Sequence, residues 1–125
     1  MTENELSKEI IGAAIEVHRV LGPGLLESAY EEALCYELEL KKIPHERQKS
    51  RPLNYKDKIL KTDYRIDLLV DDKVIVEVKA RETINLIDKA QTLTYMRLGE
   101  IKLGLLINFH EPLLKNGINR IVNNL

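Results

Sequence analysis

Three polar residues in the middle of the chain have the types and spacing to do chemistry: Asp67, then after nine residues Glu77, then Lys79. They lie in a run where Ile66, Leu68, Val70, Val74, Val76 and Val78 are all apolar and even-numbered, broken only by Asp71-Asp72-Lys73. Strict alternation marks a strand with one buried face, and the polar break reads as the loop of a hairpin. If the six apolar residues face one core, a three-residue loop pairs Val70 with Val74. The same register sets Asp67 opposite Glu77, with Lys79 following on that face. Ordinary sheet spacing then gathers two carboxylates and an amine within about 5 to 7 Å. Directly opposed acids repel unless something positive lies between or beside them, and two hard oxygen ligands at this distance suit Mg²⁺. Lys79 next to the ion can hold and polarise an attacking water and lend positive charge to a phosphorane-like transition state. The same residues equally suit the solvated face of an amphipathic hairpin, with Lys79 and Arg65 compensating the acids. The hairpin alone leaves both readings open.

The elements that must position these residues follow from period and punctuation. Leu6, Ile10, Ala13, Val17 and Leu21 recur at helical spacing, which predicts an amphipathic helix over about 4 to 20, stopped by Leu21-Gly22-Pro23-Gly24. A second helix is expected over about 25 to 41, with Leu26, Ala29, Ala33, Tyr36 and Leu40 along one face and Pro44 at its end. Residues 46 to 80 change to an extended period, with a turn at Lys56-Asp57-Lys58, and Pro52 assigns the first strand to a sheet edge. Helical spacing returns at about 84 to 98, with Leu86, Ala90 and Leu93 on one stripe, Gln91 and Tyr95 one turn apart on another, and Gly99 at the end. Ile101 to Phe109 is a continuous apolar run of buried-strand type, and Ile118 to Val122 reads as a short last strand. The order α-α-β-β-β-α-β, with a last β, has no repeat or linker, so a mixed α/β fold in a single domain over 1–125 is expected.

Charge is unevenly spread within a net charge of −1. Residues 1–40 carry net −7, residues 41–65 carry net +6, and residues 66–125 balance. The basic segment suits either a surface that tracks phosphates or a solvated strand edge kept soluble by lysines.

Asp67 followed by Glu77-Val78-Lys79 resembles the D…(D/E)xK signature of the PD-(D/E)XK nuclease superfamily. Gly24-Leu25-Leu26-Glu27-Ser28-Ala29-Tyr30 is similar to the GxxExxY motif that names a bacterial and archaeal family of that superfamily. Gln91-Thr92-Leu93-Thr94-Tyr95 is similar to the QxxxY element of its RecB-like branch. The resemblance implies a restriction-endonuclease-like αβββαβ core, a mixed sheet flanked by helices, with the first helix as an addition. It implies that Asp67, Glu77 and the Val78 carbonyl ligate Mg²⁺, or Mn²⁺, and that Lys79 orients the nucleophilic water. Glu27 matches an acid that the family's first core helix points toward the metal. Gln91 and Tyr95 match positions that support the lysine or the substrate phosphates. The activity implied is a metal-dependent phosphodiesterase, a nuclease acting on nucleic acid and foremost on DNA. Lys49, Arg51, Arg65 and Tyr30 are the expected nucleic-acid contacts. A homodimer or a targeting protein partner is compatible with so small a chain. The rival is a nuclease-fold module that binds nucleic acid or protein without turnover. Ile66 stands where the signature often has proline, a frequent variation.

Other chemistries lack their residues. No GxxxxGK[ST] and no GxGxxG occurs, and His18, His45 and His110 have no metal-site spacing. Cys35 is the only cysteine, which excludes an internal disulfide and a Cys-based zinc site, and no base accompanies it as a nucleophile. No apolar run approaches a membrane span, and the start Met1-Thr2-Glu3-Asn4-Glu5 is acidic rather than a basic leader, so a soluble, cytoplasmic protein is expected.

Overall fold

Capping boxes start the first and third helices, while the second opens at Leu26 with no side-chain cap. In the computed structural model, which describes residues 1–125, the Thr2 hydroxyl accepts from the Glu5 N–H and the Glu5 carboxylate accepts from the Thr2 N–H. This capping box opens α1 (Glu3–Leu21). Leu6, Ile10, Ala13, Ala14 and Val17 are its buried stripe. Gly22, at φ 71 and ψ 177, takes an extended positive-φ conformation open to glycine that ends it, its N–H donating to the His18 carbonyl.

The next helix, α2 (Glu27–Leu40), buries Tyr30, Leu34, Cys35 and Leu38 with Glu31. This corrects the expected face: Leu26, Tyr36 and Leu40 are exposed. The reason is tertiary. Tyr30 stacks on Phe109 at 4.7 Å between ring centroids, and its hydroxyl donates to Gly22 O (2.6 Å) and accepts from the Leu25 N–H (3.0 Å). A fully satisfied tyrosine in the core outweighs the alternative stripe.

Five strands form one mixed sheet in the order of the chain: β1 (His45–Tyr55), β2 (Lys58–Val70), β3 (Val74–Lys79), β4 (Leu103–Asn108) and β5 (Ile118–Val122). Only β3 and β4 run parallel, joined by a crossover through α3 (Leu86–Gly99). β1 lies at an edge, as Pro52 requires, and Asp71-Asp72-Lys73 turns β2 into β3 with Val70 opposite Val74. All of β4 is buried, which explains its unbroken apolar run.

The larger core lies between one sheet face and α1 with α2, where Leu68, Val70, Val74, Val76, Val78, Leu105 and Phe109 meet Leu6, Ile10 and Leu34. The smaller core on the other face packs Tyr64, Ile66, Leu69 and Ile75 with Met96 of α3. α3 also corrects its expected stripe: Leu86 and Ala90 are exposed, while Asp88, Thr92 and Met96 are buried. Asp88 caps the helix through Asn85 and pairs with Arg81 at 2.6 Å. Thr92 donates to the Asp88 carbonyl. Met96 approaches the sheet at Gly104, where an added Cβ would lie 2.6 Å from the Met96 sulfur. The architecture is α/β, with helices on both faces of a mixed sheet, consistent with the restriction-endonuclease-like fold.

Candidate active site

The alternation of β2 slips by one residue at Asp67. Leu68 and Val70 face the larger core, but Ile66 and Tyr64 belong to the smaller core. The six even-numbered residues therefore do not all share a face, as alternation had predicted. The cause lies across the strand pair. Arg47 pairs with Leu68 and Lys49 with Ile66, while Gln48 between them sits at φ 53, a left-handed conformation that breaks the pleat.

At the slip, β2 and β3 part. Their ladder ends at Leu68 opposite Val76. Beyond it, the Asp67 N–H donates to Glu77 Oε2 (2.8 Å), and the Val78 N–H donates to Asp67 Oδ2 (2.9 Å). Two carboxylates thus take the places that backbone carbonyls would hold. Asp67 and Glu77 are brought together as the hairpin register requires, by side-chain rather than ladder bonds.

Sequence reasoning missed three residues that complete this cluster. Glu31, buried on α2, accepts from Arg47 Nε (2.7 Å) and Gln48 Nε2 (2.8 Å), and Gln48 Nε2 also donates to Asp67 Oδ1 (3.3 Å). Glu31 could have been found one helical turn after Glu27. Arg47 and Gln48 carry no local signal within a basic run. Glu27 itself is exposed in the first turn of α2, on the cleft it shares with Asp67, Glu31, Arg47 and Gln48.

The electrostatics follow from burial. Desolvation, then the Asp67 charge, pushes the Glu77 carboxyl up to about 8. Desolvation likewise raises Asp67, against the bond from the Val78 N–H. The Lys79 charge opposes both shifts, although its ammonium forms no direct ion pair. Tyr95, half-buried and stacked on Tyr64 at 5.1 Å, has its phenol raised by burial and then by the Glu77 and Asp67 charges, which places it within reach of their field.

The remaining expected residues separate. Gln91 is exposed on α3 and bonds to none of the cluster. Lys49 pairs with Glu46 at 2.7 Å, Arg51 lies beside Gly99 of α3, and Arg65 is exposed on β2. Tyr30 is corrected: fully buried against Phe109, it has no surface to offer nucleic acid. Cys35 is buried, and desolvation pushes its thiol up to about 11, which leaves no thiolate for nucleophilic work near neutral pH.

A family model of the PD-(D/E)XK nuclease superfamily matches residues 4–121. The chain belongs to that superfamily. No curated protein and no solved structure matches it. PD-(D/E)XK nucleases generally depend on a divalent metal, and membership implies nuclease-type function on nucleic acid. No helix is long and apolar enough to cross a membrane.

The donor chemistry at the parted strands fits such a metal. No three His, Cys, Asp or Glu side chains gather into a closed metal cage. Mg²⁺ asks for less: one or two carboxylates with water completing the shell. Asp67 and Glu77 are two hard donors whose shared burial disfavours their full ionisation without added positive charge.

Proposed function

We propose that the protein is a metal-dependent nuclease that hydrolyses phosphodiester bonds, with DNA as the leading substrate. The observation that carries this reading is the Asp67–Glu77 pair, Glu77 buried and Asp67 half-buried, cross-bonded to the Val78 and Asp67 amides where β2 and β3 part, with Lys79 two residues on. Asp67, Glu77 and the Val78 carbonyl are the ligands for Mg²⁺ or Mn²⁺, and a cation bound there supplies Lewis acidity at the phosphoryl group. Lys79 holds and orients the attacking water and offsets charge that builds on the phosphoryl oxygens. One P–O bond forms to the water oxygen and one ester P–O bond breaks, with the leaving alkoxide taking up a proton. Tyr95, kept neutral by its environment, is a hydrogen-bond donor to phosphate oxygen, Glu27 assists at the cleft, and Gln91 contacts substrate from α3. Lys49, Arg51 and Arg65 hold the nucleic-acid backbone without reading bases, which makes binding salt-sensitive. Within the superfamily, Gly24, Glu27 and Tyr30 support the GxxExxY family, and Gln91 with Tyr95 supports the RecB-like branch.

The test is incubation of the purified protein with linear, circular and single-stranded DNA and with RNA, in Mg²⁺, Mn²⁺ or chelator, beside Lys79→Ala and Glu77→Ala. Cleavage that needs metal and is lost in both variants is expected, and the circular substrate separates endonuclease from exonuclease. Binding without turnover, unchanged by either variant, would contradict the proposal and favour a nuclease-fold binding module.

A further inference from the structure

Because Tyr30, Leu34 and Leu38 turn inward, α2 carries an apolar face that its own fold leaves uncovered, with Leu26, Tyr36 and Leu40 at 79%, 59% and 59% exposure. Along this helix runs a groove of about 730 Å³ lined by Leu25, Ala33 and Tyr36 with Glu32 and Glu39, and on its β1 side by His45 and by Arg47, which is paired with Glu31. That volume is of the size that binding sites occupy. Neither Glu32 nor Glu39 has an ion-pair partner in the chain.

A complementary surface stands at the end of the β1–β2 ribbon. Every residue from 54 to 59 is exposed, so the ribbon extends beyond the layers that bury its base. Its end carries Tyr55 and Ile59 at 60% and 69% exposure, with Lys56 Nζ 5.4 Å from the Tyr55 ring centroid and Lys58 opposite Tyr55. A two-stranded ribbon is marginally stable by itself, and apolar side chains held in water at its end do nothing for its own core. Lys56 and Lys58 are also without carboxylate partners.

Glu32 and Glu39 against Arg47 leave the groove net acidic, and Lys56 and Lys58 against Asp57 leave the ribbon end net basic. We propose that the groove on α2 receives the β1–β2 ribbon end of a second copy of this chain. Tyr55, on the ribbon face it shares with Lys58, covers the apolar floor, and Lys56 and Lys58 meet Glu32 and Glu39 at its rim. Each copy carries both halves of the contact, so reciprocal exchange closes a two-fold dimer. Apolar burial supplies the affinity, and the charged rim supplies register and discrimination. The inference does not depend on the chemistry proposed for Asp67 and Glu77, and it leaves Lys49, Arg51 and Arg65 outside the contact.

Sedimentation equilibrium of the full chain tests it. The wild type is expected to show a monomer–dimer equilibrium that weakens as salt is raised. Glu32→Lys with Glu39→Lys, and separately Lys56→Glu with Lys58→Glu, each place like charges face to face and weaken self-association roughly tenfold or more, about 1.4 kcal/mol per tenfold. An equal mixture of the two variants restores association, as a heterodimer, because every contact in it pairs opposite charges. All four positions are exposed, so the variants keep the wild-type melting temperature, and Tyr55→Asp, on the face that meets the groove, weakens association with either partner. A wild type that stays monomeric up to millimolar concentration, a dimer indifferent to both reversals, or a mixture that fails to recover would each overturn the proposal.

Discussion

Near the Asp71-Asp72-Lys73 turn, β2 and β3 are joined by an ordinary antiparallel ladder, Val70 to Val74, Leu69 to Ile75 and Leu68 to Val76, with every side chain buried in one core or the other. One residue beyond Leu68 the same two strands are joined by carboxylates bonded to amides, and the side chains there are acids, Glu77 buried and Asp67 half-buried. The turn end gains stability from each group it removes from water. The site end places two carboxyl groups in a desolvated setting beside a third acid, Glu31, and a left-handed Gln48 bridges Glu31 to Asp67. A single strand pair therefore has a structural half and a half arranged for something the fold does not need.

Breaking the structural half has the largest expected effect on stability. Leu68→Ala removes a fully buried side chain and should lower the unfolding free energy by about 2–5 kcal/mol, measured by urea unfolding. Titrating the site half gives the next effect, in the metal-free protein. The Glu77 carboxyl is raised from 4.5 to about 8, so between those values the folded state keeps a proton that the unfolded chain has lost. Its contribution is fully present below 4.5 and is lost as pH rises through about 8, with a slope of at most roughly 1.4 kcal/mol per pH unit. Glu77→Gln should flatten that slope and leave the variant more stable than wild type above pH 8, the opposite sign to Leu68→Ala. A wild-type stability curve that rises across this window would break the contrast.

Gln48→Ala sharpens it further. The change removes the amide that bridges Glu31 and Asp67, for about 1 kcal/mol of stability and about 10–100-fold in divalent-metal affinity, followed by Mn²⁺ titration calorimetry. Gln91→Ala is the smallest change. An exposed residue bonded to none of the cluster should alter stability by no more than about 0.5 kcal/mol, so any loss of cleavage would report contact with substrate.

These contrasts also separate what the sequence revealed from what it hid. The order of elements, the three-residue turn and the meeting of Asp67 with Glu77 follow from alternation and loop chemistry, which act over a few residues. The face of α2 does not, because Leu26, Ala29, Ala33, Tyr36 and Leu40 form a stripe as regular as Tyr30, Leu34 and Leu38. Phe109, far along the chain, decides between them by stacking on Tyr30. α3 misled for a related reason: its inward face is built on Asp88 and Thr92, polar residues satisfied by Arg81 and by the helix itself. The slip that sends Ile66 to the other core depends on the conformation of Gln48 in a neighbouring strand, and no pattern within β2 announces it. Arg47 and Gln48 stayed invisible because a basic run gives no reason to single out two members.

The central claim, that the Asp67–Glu77 pair is a divalent-cation site, is tested most directly by thermal unfolding in rising Mn²⁺. Wild type should gain melting temperature with Mn²⁺ concentration, as any ligand bound only to the folded state requires, and Glu77→Gln should gain none. An equal gain in both proteins, or no gain in the wild type, would contradict the account.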